Sequence, residues 1–232
     1  MPTIDEVRKN VILKDGIYYF DYTASGLAYA PIEDEISKFL KTYANTHSDS
    51  SSSAVLTQKR YENARAELKE LLGLDDSFYL IATGQGATAA IKKFQEIMGI
   101  YLPPATRELI GTQNLRNVKV PLAIISPYEH HSVEVSLREG LCDIERIRLD
   151  ESGKIDILNL KQILKLNSKR KIIACFSAAS NVTGIKSDYK EIYRLVKEHG
   201  GIFALDAATL SAYENIDCKY FDALFLSPHK LL

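Results

Sequence analysis

The chain has 232 residues, 46% hydrophobic and 25% charged, which suits one large domain or two small ones and excludes wholesale disorder. With 29 Lys and Arg against 30 Asp and Glu, the formal charge of −1 excludes a global basic field for nucleic acid or an anionic membrane surface. No apolar run approaches the ~20 residues of a spanning helix, and the opening MPTIDEVRKNVILKDG lacks the apolar core of a secretory signal.

The first helical stretch opens at Pro31, suited to the N1 position, with Ile32, Ile36, Leu40 and Tyr43 spaced near four. Ser48 to Ser53 is a short Ser-rich run, read as a loop or the approach to a helix. From about Thr57, Tyr61, Ala64, Leu68, Leu71 and Leu72 form a second stripe that Gly73 ends. Residues 78–81 (FYLI) read as a fully buried strand and 87–98 as a third helix. The stretch 99–120 is polar and long for a loop, so it is expected on the surface as an excursion.

Further buried strands are expected at 122–125, 172–176, 202–205 and 223–226, all apolar without polar alternation. Residues 144–149 (IERIRL) do alternate and read as an edge strand. A weaker helix lies over 158–166. Another begins at Asp188, where Asp188 and Glu191 form a capping-box pair and Ile192, Leu195 and Val196 face inward. Strands alternating with helices argue for an α/β sandwich on a mostly parallel sheet.

Ligands of such sheets bind beyond the carboxyl ends of the strands. Four endings carry chemistry. Thr83-Gly84-Gln85-Gly86-Ala87-Thr88 follows 78–81 and opens a helix. Its glycines and unpaired N–H groups suit a phosphate, with Thr88 adding a hydroxyl; an ordinary Gly-rich turn fits equally. The run is neither a Walker A loop nor GxGxxG. Glu129-His130-His131-Ser132 follows the next strand. Without HxxxH or HxH spacing no metal site is expected. An imidazole here could stack on a planar ring or act as acid and base, or simply belong to a surface helix cap.

Asp206 directly follows 202–205. A carboxylate there is costly unless paired, either with a cationic ligand atom such as a protonated ring nitrogen or in a structural salt bridge or N-cap. Ser227-Pro228-His229-Lys230 follows the last strand. A desolvated Lys is a nucleophilic amine that could form a Schiff base with an aldehyde, the alternative being a solvated lysine near a terminus. Phosphate cradle, ring-stacking residue, carboxylate for a pyridinium and Schiff-base lysine are together the four needs of pyridoxal phosphate (PLP).

With those residues in view, the sequence resembles the class V aminotransferase group of fold-type-I PLP enzymes, nearest the cysteine desulfurase and selenocysteine lyase branch. The resemblance runs from about Tyr18 to Leu232. Tyr19-Phe20-Asp21-Tyr22-Thr23-Ala24-Ser25 resembles the family's opening motif. Ala44-Asn45-Thr46-His47 and Tyr61-Glu62-Asn63-Ala64-Arg65 resemble its next block. Gly86-Ala87-Thr88 looks like its phosphate turn, and Ser180-Asn181-Val182-Thr183-Gly184 like the segment whose Asn reaches the cofactor's phenolic oxygen.

The resemblance implies a three-layer sandwich with PLP as cofactor. It implies that Lys230 carries PLP and then acts as general base, and that Asp206 keeps the pyridine nitrogen protonated. His130 would stack on the ring. Gly86, Ala87, Thr88, Ser227 and His229 would anchor the phosphate, Asn181 the phenolic oxygen, and His47 the substrate side. Three departures stand out. Thr209 occupies the place of a longer Gln, Ala89 that of an acidic residue, and Ser48 that of a basic one.

The implied substrate is an amino acid, and the implied reaction is C–S cleavage through a Schiff base. A homodimer and a sulfur-acceptor protein are implied partners, with no nucleic acid and no membrane. Cys142, Cys175 and Cys218, odd in number and widely spaced, suit a reducing cytoplasm. None sits in a sulfur-accepting motif, so all three read as structural. The family's reactive Cys, its substrate-binding Arg, its inserted antiparallel strand and its small domain lie after the lysine. The expected organisation is therefore an N-terminal segment over 1–20 and a partial PLP-binding large domain over 21–232, incomplete at the C-terminus. Turnover by these residues alone is not expected. Another class V aminotransferase or lyase, or a non-catalytic truncated PLP-fold module, stays open as the alternative.

Overall fold

The computed structural model describes residues 3–115 and 118–231. Its contacts divide the chain into two units, Met1–Leu80 with Pro228–Leu232, and Ile81–Ser227.

Among its described residues the first unit holds three α-helices. Helix α1 (Ile4–Asn10) was not evident from apolar spacing. It forms because Thr3 and Glu6 make a reciprocal capping box, with the Thr3 N–H donating to Glu6 Oε2 at 2.7 Å. Helix α2 (Ala30–Leu40) has Pro31 in its first turn, and α3 (Ser52–Leu71) opens on the Ser-rich run, where Ser51 Oγ accepts from the Ala54 N–H at 3.2 Å. Periodicity located α2 correctly, yet the helix buries no residue, and Ile32, Ile36 and Leu40 stay exposed.

Residues 78–81 do not form the expected strand. A strand needs a neighbour to complete its ladder, and no described strand pairs with this run. Tyr79 is 87% exposed, and the Leu80 carbonyl accepts from Arg65 Nη2 at 2.9 Å instead.

The second unit is a three-layer sandwich. Strands β1 (Leu122–Ile125), β2 (Asp143–Arg146), β3 (Ile172–Ser177), β4 (Ile202–Asp206) and β5 (Ala223–Phe225) pair in the order β2-β1-β3-β4-β5. Every pairing is parallel. β1 and β3 are buried at every position, as their unbroken apolar runs require. The edge strand β2 takes up only 144–146 of the alternating run 144–149, and buried Ile147 lies just past it. β5 occupies the other edge and is only half-buried at Ala223 and Leu224, less than expected, because it has a strand neighbour on one side.

Successive strand residues point to opposite faces. Ala123, Ile125, Ile173, Cys175 and Ala204 meet Ile91, Phe94, Val133 and Leu137 from helices α4 (Gly86–Ile97) and α7 (His131–Glu139). The Phe94 and Phe225 rings cross edge to face at 5.5 Å. On the opposite face, α9 (Tyr189–Glu198) packs on β3 and β4 and against α8 (Ile157–Leu166). There Phe203 meets the rings of Phe176 and Tyr193 at 6.0 and 6.1 Å.

Asp188 caps α9 by accepting from the Glu191 N–H at 3.1 Å, which is half of the expected capping box. The Glu191 carboxylate instead pairs with Lys161 and Arg194. The polar excursion holds α5 (Pro104–Ile110) and α6 (Thr112–Leu115), and it is anchored by buried Ile100 and Leu102. Arg107 then ties it to the end of α7, donating to the carbonyls of Glu139 and Gly140, the latter at 2.8 Å.

Candidate functional site

Because the five described strands of the second unit run parallel, their carboxyl ends share one edge of the sheet. Four sequence-selected segments therefore collect there. His130 lies between β1 and α7, Asn181 follows β3, Asp206 ends β4, and Ser227 follows β5.

The entrance to α4 completes this edge. Gln85 and Gly86 both hold left-handed backbone, at φ 60° and 63°, which turns the chain sharply into the helix. Gln85 supplies no side-chain cap. The Ala87 N–H instead donates to Ser227 Oγ at 3.0 Å, a buried bond across 140 positions of sequence. The helix dipole, the first-turn N–H groups and a serine hydroxyl together suit an anion. Thr88 is exposed beside this turn.

His130 is the N-cap of α7. Its Nδ1 accepts from the Ser132 N–H at 3.2 Å and lies 2.8 Å from Ser132 Oγ. That contact fixes the ring at the helix start while leaving it exposed. Here the helix-cap role and a ring-stacking role are compatible, since capping uses only one ring edge. Asp206 is 8% exposed, and its Oδ1 accepts from the Ala208 N–H at 3.0 Å. Thr209 follows, half-buried, at the start of a 3₁₀ turn over Leu210–Ala212. Asn181 is exposed in a turn that Ser180 Oγ organises by accepting from the Val182 and Thr183 N–H groups.

Within the first unit, residues 228–230 form a short 3₁₀ turn. The His229 carbonyl accepts from the Gly26 N–H at 2.7 Å, with Ser25 Oγ at 3.4 Å. The opening motif and the lysine motif are thus neighbours, a pairing that neither sequence segment discloses. Lys230 is half-buried and His229 exposed. His47 is exposed, and its N–H donates to Asn45 Oδ1 at 2.6 Å.

A cavity of about 560 Å³ opens on the flank between α4 and α7. Thr88, Lys92, His131 and Glu139 line it, but His130, Asn181 and Asp206 do not. Gly84 and Gln85 line it together with Thr88, so it adjoins the α4 entrance at one corner of the strand-end edge.

The residue that sequence reasoning passed over is Glu129. It is 8% exposed, directly before His130. Its Oε1 accepts from Ser126 Oγ at 2.6 Å, the Ser177 N–H at 3.1 Å and the Ser126 N–H at 3.4 Å; Oε2 accepts from Ser177 Oγ at 2.9 Å. Burial pushes its carboxyl up to about 7 against those bonds, and the nearby Asp206 charge adds to the rise. A Glu between an apolar strand and a His pair was the available signal.

Cys142 and Cys175 are poor nucleophiles. Burial holds the Cys175 thiol well above the usual range, and the Cys142 thiol is pushed up to about 11 by burial.

The model for class-V aminotransferases matches residues 18–232. Among curated relatives, a "Probable cysteine desulfurase" of Pyrococcus abyssi is 26% identical, covering 97% of this chain and 53% of its own length. One from Haemophilus influenzae is 27% identical, covering 94% of this chain and 47% of its own. The chain thus spans about half the length of the curated relatives it matches. Among solved structures, the apo cysteine desulfurase from Thermococcus onnurineus superposes with a TM-score of 0.79 at 23% identity, covering 100% of this chain and 54% of that one. The Escherichia coli cysteine desulfurase CsdA gives 0.72 at 21% identity, covering 99% and 55%. These structures share the fold.

Proposed function

This chain belongs to the class-V aminotransferase family, and from that premise we propose that it is the cofactor-binding part of a PLP-dependent enzyme with cysteine desulfurase-like chemistry. The observation that carries this reading is the strand-end edge, where an anion-suited helix entrance, a capped imidazole and a buried carboxylate gather within one unit. The donor set fits PLP. The α4 entrance with Ser227 suits its phosphate, and Asp206 suits a protonated ring nitrogen.

Gly86, Ala87, Thr88, Ser227 and His229 would hold the phosphate, Asn181 and Thr209 the phenolic oxygen, and His130 one ring face. When bound, PLP supplies an electron sink for the carbon bearing the substrate's amino group. Asp206 would keep a proton on the ring nitrogen. The Lys230 amine would hold the cofactor's aldehyde carbon and then move the proton at the substrate's α carbon. His47 would approach the substrate side. The family and its named relatives support an amino acid substrate, with cysteine first. A homodimer, a sulfur-acceptor protein and a reducing cytoplasm complete the proposal.

Adding PLP to the purified chain tests it. The expected result is an absorbance band at roughly 420 nm that Lys230→Ala removes. No band in the wild-type chain would favour a non-catalytic PLP-fold module. A band with turnover of an amino acid other than cysteine would favour another class-V reaction.

A further inference from the structure

Glu129 is a buried carboxyl that bridges two neighbouring strand ends. Ser126 lies just past β1 and Ser177 closes β3, and each gives Glu129 both its N–H and its hydroxyl. Four donors from residues 3 and 48 positions away leave this side chain one orientation. Two candidate groups depend on that orientation. His130 is the next residue, and its backbone begins α7. Asp206 is the register partner of Ser177, and its carbonyl accepts from the Ala178 N–H at 2.8 Å.

We propose that Glu129 is a positioning residue for the cofactor-binding edge: its hydrogen bonds to Ser126 and Ser177 hold His130 and the end of β3 beside Asp206 in the arrangement that receives PLP. The inference rests on the PLP reading given above. Its physical basis is pre-organisation, because a ring-stacking side chain must be held by a locked backbone to act without paying ordering entropy. An isosteric amide can do the same work. Gln at this position keeps an oxygen for the Ser126 donors and the Ser177 N–H, and its NH₂ can donate to Ser177 Oγ. A methyl group cannot.

The test compares the wild-type 232-residue chain with Glu129→Ala, Glu129→Gln and Ser177→Ala. PLP is titrated by tyrosine fluorescence and by the circular dichroism that a fixed ring induces. In parallel, the His130 imidazole signal is followed by NMR without PLP and assigned with His130→Asn. Glu129→Ala is expected to weaken PLP binding about tenfold or more and to lower the induced dichroism. Glu129→Gln should restore both to within about threefold, and Ser177→Ala should fall between. The His130 signal should move in Glu129→Ala and return in Glu129→Gln.

Wild-type affinity and dichroism in Glu129→Ala, or equal loss in Glu129→Gln, would overturn the proposal. Should Glu129→Ala fail to fold, Ser177→Ala decides, with unchanged affinity and an unmoved His130 signal counting against it. A wild-type chain that takes up no PLP refutes the function reading instead, and the His130 signal alone then decides the role of Glu129.

Discussion

The Ala87 N–H and the Ser227 hydroxyl share a buried hydrogen bond of 3.0 Å, which joins the entrance of α4 to the end of β5. This bond closes the anion-suited corner of the sheet edge. It also satisfies a helix-start donor that the N-cap residue, Gln85, leaves open. Ser227→Ala therefore strands a buried N–H. Chemical denaturation should register a loss of about 1–2 kcal/mol, with an unchanged denaturant slope. Ser227→Thr, which keeps the hydroxyl, should recover part of it.

Glu129 makes stability depend on pH. Burial raises its carboxyl from the ordinary glutamate range to about 7. A raised acid favours the folded state fully below its unfolded pKa, and the advantage is lost as pH rises through the folded value. Wild-type stability should accordingly fall by about 3 kcal/mol between pH 4.5 and pH 8 from this group. Glu129→Gln should flatten that part of the profile. Parallel wild-type and variant curves in urea melts across this range would refute it.

Thiol labelling should rank the cysteines. At pH 8, Cys142, with its thiol raised to about 11, should react roughly a hundredfold more slowly than an exposed cysteine. Cys175, fully enclosed in β3, should react only after unfolding. Mass spectrometry of an alkylation time course reads both. Rapid modification of Cys175 in the native chain would contradict the burial that raises it.

Two phenylalanines should behave oppositely. Phe203 is 0% exposed and meets the rings of Phe176 and Tyr193, so Phe203→Ala should cost about 3–5 kcal/mol. Phe20 is 90% exposed, so Phe20→Ala should stay within about 0.5 kcal/mol. Thermal melts of the two variants separate these outcomes.

Much of this architecture is local information. The spacing of Ile192, Leu195 and Val196 and the cap at Asp188 fall on α9 as read. The unbroken runs at 122–125 and 172–176 fall on the fully buried strands β1 and β3. Apolar period and capping chemistry act within a few residues, so a single sequence carries them. The residue types of the candidate edge were legible for the same reason. A carboxylate after a buried strand, or a Gly-rich turn into a helix, declares its chemistry locally.

What sequence alone could not decide is which surfaces find partners. Residues 78–81 have the composition of a buried strand, yet their backbone has no ladder among the described strands. Helix α2 has its apolar stripe and buries none of it. Glu129 reads as an ordinary acidic residue until Ser177, 48 positions away, closes over its carboxyl. Pairing, burial and a carboxyl poised near neutrality are properties of neighbours brought from afar, and only tertiary packing sets the dielectric and the donors around them.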